Sequence, residues 1–134
     1  PTLRRQRQMC IRDRNKTICL PMVVNKKQPL IFKPWRPGKK MVIGHYGISV
    51  PDNDQTLIPD LIICPLLAYD SKGMRLGYGG GFYDRTIKYF RKNKQVKYIG
   101  LAFSGQKSYH DLPSEVHDVP LDAVLTETGM DYFQ

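Results

Sequence analysis

The sequence predicts an α/β fold with a largely parallel sheet, and three consecutive features in the middle of the chain indicate it. Residues 61–67 are almost continuously apolar, as in a strand that is buried on both faces. A glycine-rich run follows, and residues 80–92 then place apolar side chains at helical spacing. Residues 97–103 form a second apolar run that is typical of a central strand. A strand, a turn, a helix and a strand in this order make a βαβ unit, whose two strands are parallel.

The remaining predicted elements are short strands. Residues 17–24 form a β-rich run, although Pro21 restricts it to a sheet edge or a bulge because proline has no N–H to donate. Residues 28–33 are predicted to pair with this run across a turn at residues 25–27. Residues 121–126 form a third central strand, which carries one acid within apolar sequence.

The composition indicates one compact domain of a cytoplasmic protein. The chain has 134 residues, of which 41% are hydrophobic, enough for a core of its own. No stretch approaches the ~20 apolar residues of a membrane helix, and the basic N-terminus lacks the apolar region of a signal peptide. The three cysteines, Cys10, Cys19 and Cys64, have no zinc-site spacing and are odd in number, which favours reduced thiols in the cytoplasm.

The net charge of +9 raises the question of nucleic-acid binding, and its distribution argues against it. Residues 1–14 carry a net charge of +4, residues 15–40 carry +7, and residues 41–134 carry −2. A nucleic-acid module would interleave base-stacking aromatic residues with its basic ones, and only Phe32 and Trp35 accompany this charge. A solvated face, or a basic flank that attracts an anionic substrate, is the favoured interpretation. An RNA-binding module stays open as an alternative.

The first 14 residues differ in character from the sequence that follows them. They contain five arginines, little apolar periodicity and no capping pattern. We therefore expect residues 1–15 to be a non-native or disordered leader, and residues 16–134 to form a single α/β domain.

The glycine-rich run between the first two central strands is suited to binding phosphate. Its glycines can adopt positive φ and can bring N–H groups close to an oxyanion without interference from a Cβ atom. The helix that follows adds unpaired N–H donors and a partial positive charge, and Arg75 can donate two parallel hydrogen bonds to a phosphate. The plainer alternative is a tight turn with a helix cap. The glycines concerned are Gly77, Gly79, Gly80 and Gly81.

This run matches neither of the common phosphate-binding motifs. It is not a Walker A loop, because no Gly-Lys-Ser/Thr follows. It is not a dinucleotide-binding fingerprint either, because Phe82 stands where the third glycine belongs.

Four segments together resemble the signature of the 5-formyltetrahydrofolate cyclo-ligase family. They are residues 44–51 (GHYGISVP), 59–70 (PDLIICPLLAYD), 73–85 (GMRLGYGGGFYDR) and 117–127 (HDVPLDAVLTE). The resemblance extends from about residue 16 to residue 127, and its glycine-rich motif is highly specific. It implies a three-layer α/β/α fold with a mostly parallel central sheet, from which this chain lacks the first strand and helices.

The resemblance also implies an activity, a metal and a set of site residues. Enzymes of this family use ATP and Mg²⁺ to close 5-formyltetrahydrofolate to 5,10-methenyltetrahydrofolate, releasing ADP and phosphate. Arg75 and Tyr83 would be catalytic, and Asp84 and Asp122 would bind Mg²⁺. Tyr46 and Gln106 would contact the folate substrate. The residues expected at the nucleotide are Arg75, Gly77, Tyr78, Gly79, Gly80, Gly81, Phe82, Tyr83 and Asp84.

Several of these residues also have a plainer explanation. Asp84 could simply stabilise the positive end of the helix dipole, a contribution of about 0.3–1 kcal/mol. Asp122 is harder to explain in that way, because a buried carboxylate needs a partner or a cation. Tyr83 could belong to the core, and Tyr46 could be a loop aromatic that covers it.

The chain departs from the family pattern at its N-terminus. The basic helical segment, the strand and the folate-contacting acid with which family members begin are not recognisable here. Val50 replaces the acid that usually precedes Pro51. We therefore expect a monomer that is the C-terminal two-thirds of a cyclo-ligase, with weak or no turnover. A catalytically silent fragment that binds nucleotide or folate is the alternative.

Overall fold

The computed structural model describes residues 16–93, 95–114 and 119–133. These residues divide into two compact units. One contains the described residues before Lys26 together with Leu30–Ile58, and the other contains Lys26–Pro29 and the residues from Pro59 onwards. The expected leader lies outside the described residues, and the expected single domain stays a prediction.

The first unit consists of two antiparallel strand pairs. Strand β1 (Ile18–Met22) pairs with β2 (Ile31–Trp35), which confirms the predicted pairing across the turn at residues 25–27. Strand β3 (Met41–Ile43) pairs with β4 (Ser49–Pro51) around a short 3₁₀ turn. The side chains of Leu30, Phe32 and Val50 are buried in this unit.

The second unit is built on a four-stranded mixed sheet, whose strands are β5 (Leu61–Cys64), β8 (Lys97–Leu101), β9 (Ala123–Thr126) and β10 (Gly129–Tyr132). Their order across the sheet is β10-β9-β8-β5. Strands β5, β8 and β9 are parallel, and β10 is antiparallel to β9. The sheet confirms the predicted α/β class and the predicted parallel pairing of the βαβ strands.

A small hairpin and a helix connect β5 to β8. The hairpin consists of β6 (Ala68–Tyr69) and β7 (Arg75–Leu76). The helix, α1 (Phe82–Phe90), is shorter at both ends than the predicted 80–92. The helix begins after Gly81, because a φ of 70° is not helical. Its buried residues are Thr86, Ile87 and Phe90.

The prediction that residues 61–67 form a strand buried on both faces is wrong. The strand ends at Cys64, before Pro65, which has no N–H for the ladder. Ile62 and Cys64 are buried, whereas Leu61 and Ile63 are 47% and 51% exposed. The second unit has one α-helix among its described residues, and a single helix covers only one face of a sheet. In the part of the chain that the structure describes, no helix has the length and hydropathy to cross a membrane.

Candidate anion-binding site at the glycine-rich turn

The glycine-rich turn joins β7 to the N-terminus of α1. Gly79 and Gly81 have φ values of 95° and 70°, in the left-handed region that favours glycine. A Cβ atom on Gly79 would meet no atom within 4 Å, so the turn is open there. At Gly80 a Cβ would instead lie 2.9 Å from the Phe82 ring. The turn therefore combines left-handed backbone with open space beside a helix N-terminus, as an anion-binding loop requires.

Arg75 is a buried cation beside this turn. Its side chain is 5% exposed, and its Nη1 donates to the Pro65 carbonyl at 3.2 Å. Its Nη2 donates to Asp84 Oδ1 at 3.1 Å, and its Cζ lies 5.8 Å from the centre of the Tyr83 ring. A Cβ on Gly77 would lie 2.9 Å from Nη1, so only glycine permits this approach. The Nε of Arg75 is buried and has no hydrogen-bond partner among the described residues.

That unpaired nitrogen is energetically unfavourable in the protein alone. A buried donor without an acceptor costs about 1–3 kcal/mol, and more when it is part of a charged group. An oxyanion that entered beside the glycine-rich turn could accept this hydrogen bond once the guanidinium had adjusted. The Asp84 carboxylate, which is 52% exposed, occupies one N–H of the same guanidinium. The positive charge of Arg75 is therefore partly neutralised by Asp84, while its Nε still lacks an acceptor among the described residues.

A second arginine, Arg85, lies against the same turn, although no sequence pattern singles it out. Its Cζ lies 4.9 Å from the centre of the Phe82 ring, and its Nε donates to the Gln28 carbonyl at 3.4 Å. A Cβ on Gly81 would lie 2.6 Å from its Nη1, and its Nη2 is buried without a partner in the described part of the chain. From the sequence, Arg85 was only a charge outside the apolar stripe of α1.

Electrostatics connect both predicted metal ligands to one buried thiol at the end of β5. The pKa of Cys64 is raised from its ordinary value of 9.0 to about 12, chiefly by burial; Arg75 lowers it, and Asp84 and Asp122 raise it. Arg75, Asp84 and Asp122 are therefore all near enough to influence this thiol. Burial also raises the pKa of Tyr83, so its hydroxyl stays protonated and can donate a hydrogen bond.

The two carboxylates have different local partners. Asp122 Oδ2 accepts a hydrogen bond from the backbone N–H of Tyr98 at 2.8 Å, and the Asp122 N–H donates to the Tyr98 carbonyl at 2.9 Å. Asp122 thus joins β8 to the start of β9, a structural role that the sequence could not reveal. Asp84 instead faces Arg75. Across residues 16–93, 95–114 and 119–133, no three His, Cys, Asp or Glu side chains form a metal-binding group.

Gln106 and Tyr78 meet the backbone that follows β5. The Nε2 of Gln106 donates to the carbonyls of Leu66 and Leu67 at 3.2 and 3.1 Å, and its Oε1 accepts from the Phe103 N–H at 2.8 Å. Tyr78 is 69% exposed, and its hydroxyl lies 3.5 Å from the Leu66 carbonyl. Gln106 therefore uses its amide to hold the backbone beside the site.

Tyr46, the predicted folate contact, belongs to the first unit. Its φ of 59° and ψ of 25° are left-handed, an uncommon conformation for a residue with an aromatic side chain. It lies between Gly44 and Gly47 in the 3₁₀ turn, and its side chain is 61% exposed. Strained backbone of this kind is concentrated at binding sites.

Three comparisons with known proteins point to one family. The profile of the 5-formyltetrahydrofolate cyclo-ligase family matches residues 5–127. The 5-formyltetrahydrofolate cyclo-ligase of Haemophilus influenzae is 40% identical over 117 residues, which are 83% of this chain and 62% of that protein. The Escherichia coli K12 enzyme of the same name is 38% identical over 102 residues, 72% of this chain and 55% of that protein.

Solved structures agree with these relatives. The 5,10-methenyltetrahydrofolate synthetase of Aquifex aeolicus superposes with a TM-score of 0.73 at 28% identity, covering 98% of this chain and 65% of that one. The synthetase of Mycoplasma pneumoniae has a TM-score of 0.61 at 25% identity, covering 85% of this chain and 58% of that one. The chain thus spans about three-fifths of the length of these four proteins.

Proposed function

This chain belongs to the 5-formyltetrahydrofolate cyclo-ligase family, and we propose that it carries the nucleotide half of an ATP- and Mg²⁺-dependent active site. The reaction is the closure of 5-formyltetrahydrofolate to 5,10-methenyltetrahydrofolate, with release of ADP and phosphate. The observation that carries this proposal is the buried Arg75 guanidinium, whose Nε has no acceptor in the described part of the chain, beside a glycine-rich turn.

The chemistry explains why a phosphate-binding site is needed. The formyl oxygen is a poor leaving group, so ATP supplies a phosphoryl group to it. N10 then attacks the formyl carbon, the C–O bond breaks, the oxygen leaves as phosphate, and the N10 proton is released to solvent. Phosphoryl transfer depends mainly on positioning and on neutralising negative charge, which arginine and backbone N–H groups provide.

In this proposal Arg75 binds the phosphates together with the backbone N–H groups of the turn. Phosphate would replace the Asp84 carboxylate at Nη2 and would satisfy the buried Nε. Asp84, which is half exposed, would then be available to a cation. The Tyr83 hydroxyl, kept protonated by its raised pKa, would donate a hydrogen bond to the same anion. The glycines, Tyr78 and Phe82 would line the nucleotide.

The residues also fit the Mg²⁺ ion that the family implies. Mg²⁺ keeps several waters and binds through one or two carboxylates together with substrate phosphates, so it does not need a cage of three protein ligands. Asp84 and Asp122 both act electrostatically on Cys64 and are suitable carboxylates. When bound, Mg²⁺ would neutralise phosphate charge. Gln106 and Tyr46 are proposed to serve the folate, Gln106 by holding the backbone beside it and Tyr46 by its exposed ring.

The proposal is tested by incubating the chain with ATP, Mg²⁺ and 5-formyltetrahydrofolate and following the near-ultraviolet absorbance of the methenyl product. Mg·ATP binding is measured in parallel by calorimetry. We expect Arg75→Ala to abolish binding, whereas Lys88→Ala, at an exposed position in the last turn of α1, should leave it unchanged. Equal binding by the Arg75→Ala variant would overturn the assignment of this site.

A second candidate function is a catalytically silent nucleotide-binding chain. The observation that favours it is that the buried Arg75 Nε and the open glycine-rich turn account for phosphate binding alone, without a further chemical step. Mg·ATP binding without methenyl product would support this candidate over the cyclo-ligase.

A further inference from the structure

Asp70 is a buried carboxylate in the turn of the β6–β7 hairpin, outside the set of residues proposed to contact nucleotide, metal or folate. Its residue is 1% exposed, among the most buried in the described chain. A carboxylate removed from water in this way is costly unless hydrogen bonds replace its hydration. The arrangement around it supplies three such bonds.

All three donors are backbone N–H groups. Oδ1 accepts from the N–H groups of Lys72 and Met74 at 2.9 and 3.0 Å, and Oδ2 accepts from that of Leu112 at 3.0 Å. The backbone closes the same turn, because the Asp70 N–H donates to the Met74 carbonyl at 3.0 Å and the Gly73 N–H donates to the Asp70 carbonyl at 3.2 Å. Both carboxylate oxygens of Asp70 therefore accept hydrogen bonds from the backbone.

These bonds fix the chain immediately before Arg75. Met74, whose N–H binds Asp70, is the residue that precedes it. Arg75 then pairs with Tyr69 in the hairpin, and the Leu67 N–H donates to the Leu76 carbonyl at 2.8 Å. The direction in which the Arg75 side chain leaves the backbone is thus set by a turn whose centre is the Asp70 carboxylate.

The third bond attaches the hairpin to a distant segment. Leu112 lies 42 residues away along the chain, and the segment it belongs to also binds the hairpin where the Ser108 N–H donates to the Tyr69 carbonyl at 2.6 Å. Asp70 therefore holds the hairpin from within, through its own turn, and from outside, through Leu112. Such a double attachment restrains hairpin motion that would otherwise displace Arg75.

We propose that Asp70 is the positioning residue of the site: its buried carboxylate, bound by three backbone N–H groups, sets the hairpin geometry that presents Arg75 to phosphate. This inference rests on the proposed phosphate site. A carboxylate is required because each of its oxygens accepts, whereas the amide of asparagine would turn an NH₂ group toward one of the N–H donors. Asp70→Asn should therefore behave as a defective variant despite its matching shape.

The test compares phosphate affinity with stability in this chain, using inorganic tripolyphosphate as the probe. Asp70→Asn and Asp70→Ala are expected to weaken tripolyphosphate binding roughly tenfold, the size expected when one charge-assisted hydrogen bond is lost. The ¹⁵N spectrum gives an independent readout, the Nε–H signal of Arg75, assigned by its disappearance in Arg75→Lys. This signal is expected to move in both Asp70 variants.

Two controls separate positioning from general destabilisation. Asp111→Asn removes an exposed carboxylate in the residue before Leu112. The Asp111 carboxylate pairs with the Lys72 ammonium at 2.8 Å and does not contact Asp70. Val96→Ala shortens a buried side chain that lies just before β8 and outside the hairpin, and it is expected to lower the melting temperature. Both should keep tripolyphosphate affinity and the Arg75 signal.

These measurements either support or contradict the positioning role of Asp70. Asp70 variants that melt earlier, as Val96→Ala does, but keep affinity and an unmoved Nε–H signal would overturn the proposal. If Asp70→Ala gives no folded protein, Asp70→Asn decides by the same criteria. If the unaltered chain fails to bind tripolyphosphate, the proposed phosphate site is wrong, and the Nε–H signal alone then decides whether Asp70 positions Arg75.

Discussion

Replacing Gly77 with alanine should weaken phosphate binding strongly with only a small loss of stability. The new Cβ would lie 2.9 Å from Arg75 Nη1, closer than a carbon and a nitrogen can pack, so the guanidinium must move. The backbone at Gly77 is not among the positive-φ positions, so alanine introduces no left-handed strain there. The substitution is therefore a perturbation of the Arg75 position alone.

The magnitude follows from the contacts of that guanidinium. Displacing it loses the hydrogen bond to Pro65, about 1 kcal/mol, and the half-exposed pair with Asp84, about 0.2–1 kcal/mol. The unfolded chain loses conformational entropy when glycine becomes alanine, which offsets about 0.4–1 kcal/mol, so the net loss of stability should be about 0.2–1.6 kcal/mol. One lost hydrogen bond between charged groups is about 1.5–3 kcal/mol, so phosphate affinity should fall about tenfold to a hundredfold.

Gly79→Ala is the matched control in the same turn. Gly79 has a φ of 95° and open space around its Cβ position, so alanine there brings about 1–2 kcal/mol of backbone strain without touching Arg75. We expect Gly79→Ala to lose more stability than Gly77→Ala and to retain more affinity for Mg·ATP. Calorimetry and thermal unfolding measure the two quantities. Wild-type affinity in Gly77→Ala, with the predicted small change in melting temperature, would refute the role given to Arg75.

Four further predictions concern the same unit. Asp84→Asn should change the free energy of unfolding by less than about 1 kcal/mol, because its ion pair is half exposed, and should weaken the Mg²⁺ dependence of ATP binding in calorimetric titrations. Cys64, buried and with a pKa of about 12, should resist maleimide in the native protein and react in urea, as mass spectrometry would reveal. Because folding raises the pKa of Cys64, the thiol stabilises the native state below pH 9.0, and this stabilisation should be lost as pH rises toward 12. Urea melts across this pH range should show the loss in the unaltered chain and should not show it in Cys64→Ala. Gly100→Ala should destabilise the fold by about 1–3 kcal/mol in urea melts, because its Cβ would lie 2.7 Å from Leu66 and 2.9 Å from Leu121; an unchanged midpoint would contradict this packing.

The elements of the second unit could be predicted because their signals are local. An apolar run, a glycine-rich turn and a helical stripe occur consecutively in the sequence, and the observed β5, α1 and β8 follow that order. The glycines and Arg75 could be singled out for the same reason, since an anion-binding turn is made from neighbouring residues.

The contacts that hold the site could not be predicted, because they join distant residues. Half of the Asp70 arrangement is local, since a carboxylate that accepts from the N–H two residues on is a common turn. The hydrogen bond from Leu112 to Asp70 joins residues that are 42 positions apart, and no sequence periodicity predicts it. The hydrogen bond from Tyr98 to Asp122 crosses 24 positions, so the sequence suggested a metal ligand at Asp122 and gave no sign of its role in joining two strands.

The distribution of unfavourable features within the second unit supports a binding role for residues 75–85. Three buried side-chain polar atoms lack a hydrogen-bond partner among the described residues, and two of them belong to Arg75 and Arg85, the third being the Tyr98 hydroxyl. The left-handed glycines Gly79 and Gly81 lie between those two arginines. Buried acids elsewhere in the unit are satisfied, as the three N–H groups around Asp70 illustrate. A turn selected only for stability would avoid two incompletely paired guanidinium groups, whereas a turn that receives an anion requires such donors.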